Sequence, residues 1–213
     1  IFELDKKKLF KAYKKKNHVW NSSFFNNCNL NYYELISKNN SSNTAIEFIG
    51  ENEFKEIITY GDLNKRVNAL SNFFQGLGIK KGDVVVGYLP NIPDTIISFL
   101  SAAKIGAVWS SCSADFGTQA VIDRFSQLKP KLLIIADHYF YNGKKFHYSK
   151  NLRLLKQKLN NPRILKTSYP SNKSKSQLKK IITQKKYKTI NQHILLDFNH
   201  PLYVLFSSGT TGL

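Results

Sequence analysis

The segment Ser207-Ser208-Gly209-Thr210-Thr211-Gly212 sets four side-chain hydroxyls and two glycines in a row. Glycine tolerates positive φ and lets a backbone approach a ligand closely, while successive amides and Ser/Thr hydroxyls can surround an anion. The composition therefore suits phosphate, and in particular the triphosphate tail of a nucleotide. It is not a Walker A loop: GxxxxGK[ST] occurs nowhere in the chain, and the pair Gly143-Lys144 lacks the upstream glycine. A flexible Ser/Thr/Gly turn has the same composition, so the motif gains meaning from what delivers it.

A second stretch, Gly106 to Gly117, ends an apolar run in small hydroxyl residues and then Asp-Phe-Gly. That pattern reads as a turn at the carboxyl edge of a parallel sheet, where open α/β folds bind ligands. Trp109, Asp115 and Phe116 are the candidates for a substrate edge there. Trp109 and Phe116 serve equally as core aromatics, and Asp115 equally as the N-cap of the next helix. A third stretch, Ala136 to Lys145, carries Gly143 and Lys144 and is read as a loop; a solvated basic loop has the same composition. His138 and His147 have no partner at metal-ligand spacing and are read as surface residues. No side chain is assigned as a catalytic acid, base or nucleophile, and no metal ligand is assigned.

The elements that must position these residues follow from apolar periodicity. Thr44 to Ile49 and Phe54 to Thr59 read as paired strands around a polar turn. Leu63, Val67, Leu70, Phe74 and Leu77 then form one helical face, with Thr59 and Asp62 as a capping box and Gly76 and Gly78 at the end. Val84 to Leu89 is a continuous apolar run, as expected of a strand buried on both faces. A helix over Asp94 to Ile105, a strand over Ala107 to Cys112, a helix over Thr118 to Leu128 and a strand over Leu132 to Ala136 complete an alternation that implies βαβ units. The expected fold class is α/β, a mainly parallel sheet flanked by helices. Leu152 to Leu159, Ile164 to Thr167 and Leu178 to Ile182 continue the pattern weakly through a Lys/Ser-rich stretch read as a surface insertion. Leu202 to Phe206 is expected as a last short strand leading into Ser207. Residues 1–42, with a short basic helix over Leu4 to Tyr13 and a helical turn at Tyr32 to Ile36, read as an arm, and 43–213 as the first part of a domain.

Composition narrows the class. The chain has 213 residues, 42% of them hydrophobic, enough for one sizeable core, and no apolar run long enough for a membrane span. Cys28 and Cys112 lie far apart without CxxC spacing, which suggests neither a disulfide framework nor a zinc site and fits a reducing cytoplasm. Cys112 is read as a small buried apolar residue. The net charge of +18 comes mainly from lysines between Lys6 and Lys16 and between Lys144 and Lys188, mixed with Asn, Ser and Ile. Charge alone is the signature of a polyanion binder. Without a nucleic-acid-binding motif or a basic amphipathic helix, it is read as compositional drift expressed on solvated faces, and no nucleic-acid partner is expected. A start at Ile, the lack of Met and an end inside a glycine-rich motif lead to the expectation of a fragment.

Tyr203-Val204-Leu205-Phe206-Ser207-Ser208-Gly209-Thr210-Thr211-Gly212 resembles the phosphate-binding signature of the adenylate-forming superfamily, which includes acyl-CoA synthetases, peptide synthetase adenylation domains and luciferases. Gly87-Tyr88-Leu89-Pro90-Asn91 and Gly106 to Gly117 resemble segments of the acetoacetyl-CoA synthetases, and Asn29 to Leu35 resembles the end of the N-terminal extension of that group. The resemblance implies an ATP-dependent acid–thiol ligase that activates a short-chain 3-oxo acid, acetoacetate, as an acyl-AMP and transfers it to coenzyme A. Acetyl- or propionyl-CoA synthetase is the neighbouring alternative. It further implies that Ser207, Ser208, Gly209, Thr210, Thr211 and Gly212 hold the ATP phosphates with Mg²⁺, and that Gly143 and Lys144 meet coenzyme A as a glycine and a cation would, a lysine acting on phosphate as a point charge. Tyr141 and Asn142 stand where relatives have arginine and glycine. The catalytic lysine, adenine contacts and acyl pocket would lie beyond Leu213, so a piece ending there is expected to be inactive.

Overall fold

The computed structural model describes residues 13–14, 23–25, 28–148, 151–173, 175–183 and 193–207. The expected basic helix over Leu4 to Tyr13 falls outside them except at Tyr13, which lies in a two-residue strand, β1 (Tyr13–Lys14), antiparallel to β2 (Ser23–Phe24). Two further short pieces, β3 (Asn29–Leu30) and α1 (Tyr32–Ser37), precede a hairpin of β4 (Thr44–Ile49) and β5 (Lys55–Thr59).

α2 (Tyr60–Gly76) begins and ends as its residues dictate. Thr59 caps it: its hydroxyl oxygen accepts from the Asp62 amide at 3.2 Å. Gly78, at φ +81°, stops it, with the Gly78 amide on the Gln75 carbonyl at 2.8 Å and the Ile79 amide on the Phe74 carbonyl at 3.0 Å. That pair of bonds is the Schellman arrangement, and Phe74 and Ile79, which bracket it, are both buried. Leu63, Val67, Leu70 and Phe74 form the buried face, as the periodicity implies.

The core sheet consists of β6 (Val84–Tyr88), β7 (Val108–Cys112), β8 (Leu132–Ala136) and β11 (Arg163–Thr167), all parallel, in the order β11-β8-β6-β7. Val86 pairs with Ser110 on one side and Leu133 on the other. Leu132 to Ala136 are buried without exception, as a central parallel strand requires. Helix α3 (Pro93–Lys104) connects β6 to β7, and α4 (Thr118–Phe125), extended by a 3₁₀ turn over Ser126–Leu128, leads from β7 to β8. The chain therefore leaves β6 toward one edge and β8 toward the other, and the ends of these two neighbours form the topological switch point of the sheet.

Three segments differ from the sequence reading. The Lys/Ser-rich stretch is no surface insertion: α5 (Leu152–Lys158), β11 and α6 (Gln177–Thr183) close the sheet and bury Leu155, Leu165 and Leu178. The stretch read as a loop at 136–145 holds a hairpin, β9 (His138–Tyr141) with β10 (Lys144–His147). Part of the expected arm is packed into the fold. Asn31 is buried, caps α1, and sends its amide nitrogen to the carbonyls of Ala103, Lys104 and Ile194 at 3.1, 3.1 and 2.8 Å. Two of these carbonyls lie in the last turn of α3, where the helix offers no i+4 donor; the Gly106 and Ile194 amides also reach them, at 3.1 and 3.2 Å. β3 also pairs with β12 (Leu196–Asp197), which ties residues 28–37 to the returning chain.

Candidate active site at the carboxyl edge of the sheet

β6 and β7 run in register, so their carboxyl ends fall at one level, and the turns that follow them converge there. Tyr88, the last residue of β6, donates its hydroxyl to the Phe116 carbonyl in the turn after β7. Its ring meets Tyr148 edge-on at 4.6 Å, and Tyr148 also contacts Tyr139 of β9 at 5.4 Å. These three tyrosines occupy the switch point between the ends of β6 and β8. Burial raises the pKa of each: Tyr88 to about 12, with Tyr139, Cys112 and Asp115 adding to the rise, and Tyr148 further. All three thus remain neutral phenols across the physiological range; Tyr88 is hydrogen-bonded, and the buried Tyr148 hydroxyl has no hydrogen-bond partner among the described residues. A cavity of about 170 Å³ opens beside them, lined by Ala136, Tyr148 and Leu152 among others.

The sequence-derived candidates separate into groups. Trp109 is 1% exposed and packs on Phe99 of α3. A Cβ on Gly87 would meet its ring at 2.7 Å, so glycine at 87 is what allows the indole to lie across β6. Phe116 is half-buried under the Arg124 guanidinium, 4.9 Å from its ring centre, in a cation–π contact. Asp115 is exposed and does not cap α4; the N-cap position belongs to Gly117. Cys112 is buried, and desolvation pushes its thiol up to about 11, an unreactive state.

Gly143 and Lys144 sit at the tip of the β9–β10 hairpin. Asn142 at φ +50° and Gly143 at φ +72° form a two-residue turn between the paired Tyr141 and Lys144, the backbone pattern of a type I′ turn. The Gly143 amide donates to Glu51 at 3.0 Å, which holds the tip against the β4–β5 turn, and the Lys144 side chain is exposed. His138 and His147 are cross-strand partners with ring centres 5.7 Å apart. Among the described residues no group of three or more His, Cys, Asp or Glu side chains is arranged to hold a metal ion. At the end of β11 the Thr167 hydroxyl donates to Asp94 in the first turn of α3. Burial raises the Asp94 pKa, and that hydrogen bond opposes the rise.

Of the hydroxyl-rich motif, Ser207 is described and exposed; Ser208, Gly209, Thr210, Thr211 and Gly212 lie outside the described residues. The segment that leads to it runs parallel to β7 but joins it at a single bridge, Trp109 with Tyr203, rather than as the expected strand over Leu202 to Phe206. The structure thus brings the Gly106–Gly117 stretch and the lead into Ser207 together at β7. The tyrosine cluster was not singled out from the sequence. Tyr88 ends an apolar run that reads as a buried strand, Tyr148 follows the basic stretch after Gly143, and only the fold shows that they meet.

No helix among the described residues is long and apolar enough to cross a membrane. The family model described as AMP-binding enzyme matches residues 36–213. The acetoacetyl-coenzyme A synthetase of Rhizobium meliloti (strain 1021) is 36% identical over 201 residues, covering 89% of this chain and 30% of that protein. The acetoacetyl-CoA synthetase of Xenopus tropicalis is 36% identical over 205 residues with the same coverages. Among solved structures, acetoacetyl-CoA synthetase from Streptomyces lividans aligns with a TM-score of 0.80 at 30% identity, over 90% of this chain and 30% of that one. An acyl-CoA synthetase from Brucella canis, at 21% identity and a TM-score of 0.67 over 85% of this chain and 32% of that one, shares the fold. The chain spans about 30% of the length of the curated relatives it matches. Sheet order, the sheet-edge turns and the matched residues lead to one conclusion: this chain belongs to the family of AMP-binding enzymes.

Proposed function

We propose that the polypeptide carrying this chain is an ATP-dependent acid–thiol ligase that activates acetoacetate as its acyl-AMP and passes the acyl group to coenzyme A. The observation that carries this reading is 36% identity to an acetoacetyl-coenzyme A synthetase along 89% of the chain, beside a match to the AMP-binding family model whose bounds, 36–213, include the hydroxyl-rich motif. A carboxylate resists nucleophilic attack because of its charge. In the first step a carboxylate oxygen attacks the α-phosphorus of ATP and pyrophosphate leaves. In the second the coenzyme A thiol attacks the acyl carbon and AMP leaves.

Within this scheme Ser207 to Gly212 surround the β- and γ-phosphates and stabilise the charge of the departing pyrophosphate, and their amide and hydroxyl donors fit that task. Mg²⁺, entering with the nucleotide, would supply further charge neutralisation on the same oxygens. The hairpin tip at Gly143 and Lys144 would meet coenzyme A, with Lys144 exposed and available to a phosphate. On the acid-substrate edge, the buried Trp109 would support the turn from beneath, with Asp115 and Phe116 facing the substrate. A 3-oxo acid is the small-molecule partner, with no nucleic acid involved, and a reducing cytoplasm suits the two free thiols, Cys28 and Cys112. The domain reading is an arm over 1–42 and the opening part of the AMP-binding domain over 43–213.

The test is coenzyme A thioester formation by the full-length polypeptide with acetoacetate, acetate, propionate and longer acids. Acetoacetate is expected to give the highest kcat/KM. Preference for acetate or propionate would overturn the substrate assignment and leave the ligase class standing, whereas no ATP-dependent thioester with any acid would overturn both.

A further inference from the structure

Ser110 is completely buried in the middle of β7, where its neighbours in the sheet are Val86 and, through the Trp109 bridge, the chain at Tyr203. A hydroxyl at such a position costs stability unless it is hydrogen-bonded. Its partner is the Val204 carbonyl, at 2.8 Å.

This bond comes where the pairing of the two segments ends. The Trp109 amide donates to the Leu202 carbonyl at 3.1 Å, and the Val204 amide donates to the Trp109 carbonyl at 2.8 Å. In a parallel ladder carried one step further, the Val204 carbonyl would accept from the amide of Ser111. The Ser110 side chain takes that carbonyl instead, and the ladder stops at one bridge. On the other face the Tyr203 ring packs on Phe99 at 5.8 Å, and its hydroxyl meets the Ser111 hydroxyl. Tyr203 and Val204 are thus fixed from both faces of β7, and Val204 stands three positions before Ser207. Three residues reach at most about 10 Å, so an error in where the chain leaves the sheet at Val204 is carried directly into the start of the hydroxyl-rich motif.

We propose that Ser110 is a positioning residue for nucleotide binding: its hydroxyl ends the pairing at Val204 and sets the point and direction from which the phosphate-binding segment departs. This rests on the ATP-dependent reading above. Ser110 touches no phosphate in this role; it acts through the Val204 carbonyl.

The experiment compares the full-length polypeptide with its S110A, S110C and S110T variants, measuring MgATP binding by calorimetry, KM for coenzyme A and thermal melting. S110C keeps the side-chain volume but donates poorly; S110T keeps the donor. Misplacement of a binding segment by an ångström can cost orders of magnitude, so S110A and S110C are expected to weaken MgATP binding about tenfold. KM for coenzyme A should stay within about twofold in the same variants, since uniform loss would mark a merely structural role. S110T should restore MgATP affinity. Should S110A fail to fold, S110C decides. Unchanged MgATP affinity in a folded S110C, or an equal loss for both ligands, would overturn the positioning role while leaving the ligase reading intact. A parent protein that binds no MgATP would overturn the reading and the positioning role together.

Discussion

Lys104 illustrates how a single side chain sets a measurable property. It is 2% exposed at the end of α3, with its ammonium hydrogen-bonded to Asn68 and lying 5.5 Å from the centre of the Tyr33 ring. Desolvation lowers its pKa from 10.5 to about 8. Between these two values the unfolded chain binds a proton that the folded chain does not, so stability rises with pH through that window; below pH 8 both states are protonated and the contribution is constant. Urea unfolding of the parent and of K104M from pH 7.5 to 10.5 should show the parent gaining about 3 kcal/mol relative to the variant. Parallel curves would contradict this assignment. Gly87 shows the complementary case, a residue whose lack of a side chain makes room for Trp109.

At the scale of elements, Asn31 joins three segments through one carboxamide: α1, the end of α3 and the chain at Ile194. Its replacement by leucine would remove three hydrogen bonds, while the Ala103 and Lys104 carbonyls keep backbone donors in Gly106 and Ile194, so the cost is the net worth of the lost bonds, about 0.5–1.5 kcal/mol each. N31L is therefore expected to lower unfolding free energy by about 2–4 kcal/mol in urea titration, with the m-value retained. A change below about 0.5 kcal/mol, the range of ordinary surface substitutions, would show that residues 28–37 are not held by this bond set.

Sequence legibility follows the same division. α2 was readable because one of its faces is core and the other solvent, and β6 and β8 because both of their faces are buried. The α5–β11–α6 stretch was obscured by lysines at exposed positions around a few buried leucines. The β9–β10 hairpin carried its turn signal in Asn142-Gly143, but its strands, His-Tyr-Phe-Tyr and Lys-Lys-Phe-His, do not alternate apolar with polar residues. Asn31 and Ser110 could not be read at all, because a single buried polar residue has no period and its partners lie 72 to 163 and 94 positions away.

For the whole molecule, a strand order of β11-β8-β6-β7 gathers the ends of β6 and β8, the turn after β7 and the lead into Ser207 along one edge of the sheet. The candidate site was legible in part: its hydroxyl-rich motif and Asp-Phe-Gly turn were visible as residue types, while the tyrosines at the ends of β6 and β8 became visible only through topology. The excess of positive charge is carried mostly by exposed lysines, and Lys104 is the one buried lysine among the described residues. The central claim is that Ser207 to Gly212 hold the triphosphate during acyl-AMP formation. Its most direct test is acetoacetate-dependent ATP–pyrophosphate exchange by the full-length polypeptide and by its T210V/T211V double variant. Removing one preorganised donor to developing charge costs roughly 100-fold or more, so the double variant should lose at least that much exchange at unchanged melting temperature. Exchange at the parent rate in a folded double variant would contradict the account.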